Sequence, residues 1–268
     1  MFGAIIGDIV GSTYEFNNKK SKTFPFWTKG SFFTDDTVMT CAVCAALREY
    51  KKDKTSDVHH LLVKRMQEIG REYPLCGYGA KFLVWINSDD PKPYNSYGNG
   101  SAMRVSAAAW LAESMSEAKQ LAIYSAEVTH NHQEGIKGAV SVAEAIYMAR
   151  QSCTKDQIKK HLSKYYDLDF KLDDIREDYE FNETCQGSVP QALVAFFEGE
   201  SFEDCIRNAV SIGGDSDTIA AITGSIAEAF YGVPARMKAR VLSMLDPLLK
   251  KAFYNLFDNS KTHGEHVT

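Results

Sequence analysis

The sequence predicts an all-α protein, a compact multi-helix bundle forming a single domain, on three observations. Apolar residues recur at three- and four-residue spacings through most of the chain. No run sustains the period-two alternation of a half-buried strand. No strand–helix–strand rhythm repeats. With 268 residues the chain is long enough to bury a sizeable core. It shows no internal repeat, linker or low-complexity stretch that would divide it. One domain over residues 1–258 and a polar tail over 259–268 are therefore expected.

Each element has its own signal. Gly3, Gly7 and Gly11 stand four residues apart, hence on one helix face. Such a stripe predicts close packing against another helix, with approach of a ligand as the competing reading, and Glu15 falls at this helix's end. Residues 19–29 mix lysines with Phe24, Pro25, Phe26 and Trp27 and read as loop. From Asp35 to Tyr50, Val38, Cys41, Ala42, Ala45 and Ala46 keep helical spacing behind Thr34 and Asp35, both good N-cap types. A helix over Ser56–Glu72 follows, then a break at Pro74–Gly79, a short apolar segment Ala80–Ile86, and loop chemistry from Asn87 to Gly100. Helices are expected at Ser101–Ser114, at Ser116–Thr129 with Ser116 opening it, at Gln133–Gln151 and at Lys155–Tyr165. Leu168–Thr184 is charged and irregular, a surface excursion. Pro190–Glu198 and Phe202–Ile212 precede the loop Gly213-Gly214-Asp215-Ser216-Asp217-Thr218. The helix after that loop sets Ile219, Ile222, Thr223, Ile226, Ala227 and Phe230 at core spacing. Gly232-Val233-Pro234 ends it, and two weaker helices follow.

Composition narrows the function classes. The net charge of -5 implies no basic surface for nucleic acid or anionic membrane. Six scattered cysteines give no disulfide framework; Cys41 and Cys44 lie in an apolar helical run and read as small core residues. The apolar N-terminus is too short to span a bilayer, lacks a basic leader and carries Asp8. A cytoplasmic protein with no membrane partner is expected.

Chemistry concentrates in two clusters far apart in sequence. Thr34-Asp35-Asp36 and Asp215-Ser216-Asp217-Thr218 each set two carboxylates and a hydroxyl at a helix start. Ordinary N-capping explains most acidic pairs at such positions, but a cap needs one side chain and each cluster offers three. Should the clusters meet, four carboxylates would repel one another unless hard divalent cations lay between them, and magnesium favours such all-oxygen sets. Rival motifs fit worse. An EF-hand needs further ligands and a glycine where Ile219 and Ala220 stand. A D-x-D-x-T phosphatase needs a preceding buried strand, and an all-α terpene synthase needs a third aspartate at Met39. A further element, Tyr97-Gly98-Asn99-Gly100-Ser101-Ala102-Met103-Arg104, leads a glycine turn into a helix N-terminus, a geometry suited to phosphate. Surface pairing of Arg104 with an acid is its bland alternative. His130 and His132 share zinc-like spacing but have no third soft ligand nearby, so a polar helix terminus and a ligand contact both stay open.

Together, Gly7-Asp8 through Glu15, Thr34-Asp35-Asp36, Gly98 to Arg104, Thr129-His130 and Gly213 to Thr218 resemble the ADP-ribosylglycohydrolases, in order from Gly3 to about Pro234. The resemblance implies an all-α fold with a binuclear metal cleft holding two Mg2+ ions, or Mn2+, and hydrolysis of the bond between ADP-ribose and an acceptor. It implies Thr34, Asp35, Asp36, Asp215, Asp217 and Thr218 as metal ligands. Glu15 and Asp36 would be catalytic, Glu15 positioning or deprotonating water. Gly98, Asn99, Gly100, Ser101, Ala102 and Met103 would cradle the diphosphate, and His130 would lie on the adenosine side. Asp8 would support the first helix. The implied partners are ADP-ribosylated proteins or small molecules, with a modified nucleic-acid base left open. One departure stands out: some arginine-directed members carry an acid where this chain has Leu75-Cys76-Gly77-Tyr78-Gly79, which puts arginine specificity in doubt. Two other functions compete: a non-catalytic ADP-ribose-binding or structural relative, and a magnesium-dependent hydrolase of another nucleotide diphosphate.

Overall fold

Helical periodicity is realised along the chain in a computed structural model that describes residues 1–254. The order is α1 (Phe2–Gly11), α2 (Asp35–Lys52), α3 (Val58–Gly70), α4 (Ala80–Asn87), α5 (Gly100–Met103), α6 (Ser106–Leu111), α7 (Met115–Glu127) and α8 (Gln133–Arg150). Then come α9 (Lys155–Leu162), α10 (Leu172–Ile175), α11 (Cys185–Glu198), α12 (Phe202–Ser211), α13 (Ser216–Tyr231), α14 (Ala235–Met244) and α15 (Pro247–Tyr254). Among the described residues there is no strand, only an isolated bridge between Gly98 and Thr184. The expected end of the domain and its polar tail, 255–268, lie outside the described residues.

Two helices form the axis. Every residue of α1 is buried, as is α13 from Ser216 to Glu228, the pattern of helices covered on all sides. The glycine stripe seats them on each other. A Cβ on Gly3 would lie 2.0 Å from the Gly224 carbonyl oxygen, one on Gly7 2.0 Å from that of Ala220, and one on Gly11 2.4 Å from the Asp217 Cα. The packing reading of the stripe is the one the structure adopts. α2, α8, α11 and α12 surround this pair.

Several boundaries differ from expectation for identifiable reasons. α1 stops at Gly11, so Glu15 lies four residues beyond it in a turn. The expected helix Ser101–Ser114 is two short helices, α5 and α6, broken at Arg104 and Val105. The break turns the Arg104 side chain inward, where Nη2 donates to the Ser125 carbonyl and to Thr129 Oγ1. Ser114, not Ser116, caps α7: its hydroxyl accepts from the Glu117 N–H, and Glu117 accepts in return from the Glu113 N–H. α11 begins at Cys185, five residues before Pro190, because Thr184 caps it by accepting from the Gly187 N–H. The 168–184 excursion is anchored rather than free, with Leu168 and Leu172 buried and Tyr179 donating to the Gly187 carbonyl.

Candidate active site

The two acidic clusters meet. Thr34 caps α2, accepting from the Asp36 N–H at 3.3 Å, and so places Asp35 and Asp36 in the first turn. The Asp35 N–H donates to the Cys76 carbonyl, which pins the Leu75–Gly79 loop beside this turn. Gly213 and Gly214 both adopt positive φ, +70° and +69°, which glycine alone tolerates readily, and together they turn the chain sharply into α13. Across the gap Thr218 Oγ1 donates to Asp36 Oδ2 at 3.2 Å, joining residues 182 positions apart. Glu15, Asp215 and Asp217 each offer a carboxylate oxygen within 4.8 Å of the others.

The carboxylates differ in how they are satisfied. Asp8 is fully buried and accepts from the Thr34 and Thr37 N–H groups and from both their hydroxyls. It therefore ties α1 to the start of α2, with donors on both of its oxygens; its support goes to the second helix as much as the first. Asp36 Oδ1, by contrast, is buried with no partner. Asp215 is the N-cap residue of α13, yet its side chain makes no capping bond; Oδ2 instead accepts from Asn99 Nδ2 at 2.7 Å. Asp217 Oδ1 accepts from the Thr218 N–H at 2.9 Å.

Electrostatics follow from that crowding. Burial first, then the charge of Asp217, pushes the Asp35 and Asp36 carboxyls well above the usual carboxylate range. Burial and Asp215 do the same to Asp217. Burial raises Glu15 to about 8, with Asp217 and Asp8 adding to it. Burial raises Asp215 to about 6 against the pull of its hydrogen bonds. A divalent ion would remove the repulsion and occupy the orphaned Asp36 oxygen, so the donor set fits a hard metal. Glu15 stands close enough to Asp215 and Asp217 to share an ion with them.

The glycine loop reaches this site through Asn99, whose amide also donates to Ser188 Oγ. The side chains of the loop turn inward rather than toward a ligand: Ser101 Oγ donates to the Gly135 carbonyl, and Ala102 and Met103 are buried. Of its backbone, the Asn99 N–H goes to the Glu183 carbonyl and those of Ala102 and Met103 to the Asn99 carbonyl. The N–H groups of Gly100 and Ser101 make no hydrogen bond among the described residues. His130 closes the loop's other side: a Cβ on Gly98 or Gly100 would fall 3.4 or 3.2 Å from its Nε2. Its ring is held well below the usual histidine range by burial and by Arg104. Arg104 has no acidic partner in ion-pair range among the described residues and is buried, so the surface-pairing reading fails. Of the expected residues, Glu15, Asp215 and Asp217 converge, Thr218 bonds Asp36 across the gap, and Asp35 feels the Asp217 charge, whereas the Thr34 hydroxyl donates to Asp8.

Sequence reading missed Asn18. Its Oδ1 accepts from the Gly214 N–H at 2.7 Å, and Nδ2 donates to the Tyr14, Glu15 and Gly214 carbonyls, clamping the Glu15 segment to the Gly213–Thr218 loop. Nothing local marks it, since the contact spans 196 positions. Two cavities, about 720 and 620 Å³, lie elsewhere, one between α2, α3 and α15 and one beside α9 and α11, and contain none of these residues. Among the described residues no helix is long and apolar enough to cross a membrane.

Comparison with known proteins agrees with this geometry. The profile of the family described as ADP-ribosylglycohydrolase matches residues 1–263. The chain is 27% identical to ADP-ribosylhydrolase ARH3 of Homo sapiens, over 86% of this chain and 84% of that protein. It is 24% identical to ADP-ribosyl-[dinitrogen reductase] glycohydrolase of Rhodospirillum rubrum, over 86% and 84%. A solved structure titled ADP-ribosylglycohydrolase-related protein complex superposes with a TM-score of 0.68 at 26% identity, covering 95% of this chain and 96% of that one. The all-helical fold, the meeting of the acidic clusters and the whole-chain match lead to one assignment: the chain is a glycohydrolase and belongs to the ADP-ribosylglycohydrolase family.

Proposed function

We propose that the protein is a magnesium-dependent hydrolase that releases ADP-ribose from a modified protein side chain or small molecule. The observation that carries the metal dependence is the buried, partnerless Asp36 Oδ1 beside carboxylates that repel one another. Thr34, Asp35, Asp36, Asp215, Asp217 and Thr218 would hold two Mg2+ ions, with Mn2+ able to substitute. Bound there, such ions supply Lewis acidity and a template for the ribose hydroxyls.

The chain's own groups do the rest. Cleavage at the ribose C1 builds oxocarbenium character, which the surrounding carboxylate oxygens stabilise. Glu15, whose carboxylate stands beside those of Asp215 and Asp217, is placed to position or deprotonate the attacking water. The Gly100 and Ser101 N–H groups and His130 offer donors for the diphosphate and its nucleoside, and anchoring that remote part orients the reacting bond. The acidic charge and the lack of a basic surface favour a protein or small-molecule acceptor over a nucleic-acid base.

The test is release of free ADP-ribose from a panel of arginine-, serine- and ester-linked substrates, with magnesium, manganese or chelator. Chelator is expected to stop turnover, and Asp36→Ala, Asp35→Ala and Asp217→Ala each to abolish it in folded protein. Turnover that survives chelator would remove the metal mechanism. Tight ADP-ribose binding without cleavage of any linkage would leave a binding protein instead.

A further inference from the structure

The glycine loop faces an imidazole whose proton position is dictated from the protein interior. Arg104 is 1% exposed, and its Nη2 donates at 2.7 Å to Thr129 Oγ1. Its second bond, to the Ser125 carbonyl at 2.9 Å, fixes the guanidinium at the end of α7. Thr129 is itself wholly buried. Its oxygen accepts from Arg104, so its own proton needs an acceptor. Among the described residues the Thr129 hydroxyl has one other hydrogen-bond neighbour, His130 Nδ1 at 2.6 Å. An arginine cannot accept, so the hydroxyl proton goes to the imidazole. Nδ1 is therefore an acceptor and carries no hydrogen. Burial and the nearby Arg104 charge both disfavour a second ring proton, which leaves the single one on Nε2. That atom makes no hydrogen bond among the described residues and lies against Gly98 and Gly100.

We propose that Arg104 and Thr129 are positioning residues that lock His130 as its Nε2–H tautomer, so that the ring presents one donor over the Gly98–Gly100 turn to an acceptor atom of the bound nucleotide. The chain Arg104–Thr129–His130 runs in one direction only, donor to acceptor at each link. It makes the loop selective for a ligand that offers an acceptor there. The ligand's identity rests on the reading of the site as an ADP-ribose pocket; the tautomer does not.

Long-range proton–nitrogen correlation spectra of histidine-labelled protein test this, with His130 assigned by loss of its signals in His130→Asn. The expected wild-type pattern is a neutral ring protonated at Nε2. Thr129→Val severs the link and is expected to shift the ring toward a mixture of tautomers and to weaken ADP-ribose binding about tenfold, near the worth of one hydrogen bond. Thr129→Ser keeps a hydroxyl and is expected to restore both. An Nδ1-protonated or doubly protonated wild-type ring overturns the proposal, as does a folded Thr129→Val protein with wild-type tautomer and affinity. A wild-type protein that shows the Nε2–H ring yet binds no ADP-ribose supports the relay and removes the ligand assignment.

Discussion

Gly11→Ala adds one methyl and should move the candidate catalytic groups without replacing any of them. The new methyl would stand 2.4 Å from the Asp217 Cα, 2.5 Å from the Ser216 oxygen and 2.6 Å from the Asp217 nitrogen. Comfortable carbon contacts begin near 3.5 Å, so α1 and the first turn of α13 must part by about 1 Å. All three obstacles are backbone atoms, which cannot rotate away. Overpacking of this kind costs about 1–3 kcal/mol, a fall in Tm of several degrees for a domain of this size. The activity loss should exceed what stability explains, because the displaced atom is the Cα of a proposed metal ligand. A shift of about 1 Å at a reacting centre can cost on the order of a hundredfold in rate. Gly79→Ala is the control, since its methyl meets nothing within 4 Å. The assay is thermal unfolding together with ADP-ribose release at saturating substrate. Wild-type melting and turnover in Gly11→Ala would refute the claim that the glycine stripe sets the site's geometry.

Metal-free protein should lose stability as pH rises. Burial and neighbouring carboxylates raise Asp215 to about 6 and Glu15 to about 8, so the folded state binds protons that the unfolded chain has released. The contribution is fully present below their ordinary values and disappears as pH passes 6 and then 8; the chelated protein's Tm should fall across that window, and magnesium should flatten the fall, a scan that stays flat in chelator contradicting the charge argument. Asn18→Ala should lower kcat about tenfold with little change in ADP-ribose affinity, because it frees the Glu15 turn from Gly214; an equal loss in both would make Asn18 a binding residue. Glu117 bonds to none of the site residues, and although burial pushes its carboxyl up, bonds from Lys51, the Glu113 N–H and Lys54 outweigh this and hold it at about 2. Glu117→Gln should therefore cost about 1 kcal/mol near neutral pH after allowance for solvent screening, a difference that shrinks as acid approaches that value, and should leave kcat unchanged.

What was legible in the sequence had short range. The helix face of Val38 to Ala46, the cap at Thr34 and the breaker at Gly232 act on their own neighbourhoods, and each lies where its local chemistry put it. The break at Arg104 was hidden because its cause lies 21 and 25 residues away, at Ser125 and Thr129. Asn99 looked like a turn residue before a phosphate loop; its side chain instead reaches 116 positions to Asp215. The excursion at 168–184 looked solvated because its charges are exposed, yet Tyr179 packs on Gly214, where a Cβ would lie 2.4 Å from its ring. Candidate ligands could be picked out because carboxylates cluster in sequence; the amides that aim them could not, because asparagines are common in loops.

Asp8 and Asp36 show how a cap is told from a ligand candidate once coordinates exist. Both are buried acids; capping was the ordinary explanation for Asp36, and support of the first helix the expectation for Asp8. Asp8 receives donors on both oxygens, as a carboxylate confined to a structural task should. Asp36 receives one hydroxyl and keeps a buried oxygen without any partner. Helix N-termini stabilise a nearby anion by about 0.3–2 kcal/mol. Two ionised carboxylates within the 4.8 Å that spans Glu15, Asp215 and Asp217 repel by roughly 3.5 kcal/mol at an effective dielectric constant of about 20. Three such pairs exceed anything the starts of α2 and α13 can return, so helix capping does not account for the cluster. Protons relieve it in part, at the expense of the negative oxygens that an oxocarbenium-like transition state needs. A divalent cation relieves it while leaving the carboxylates ionised, and on that difference the proposed metal dependence stands.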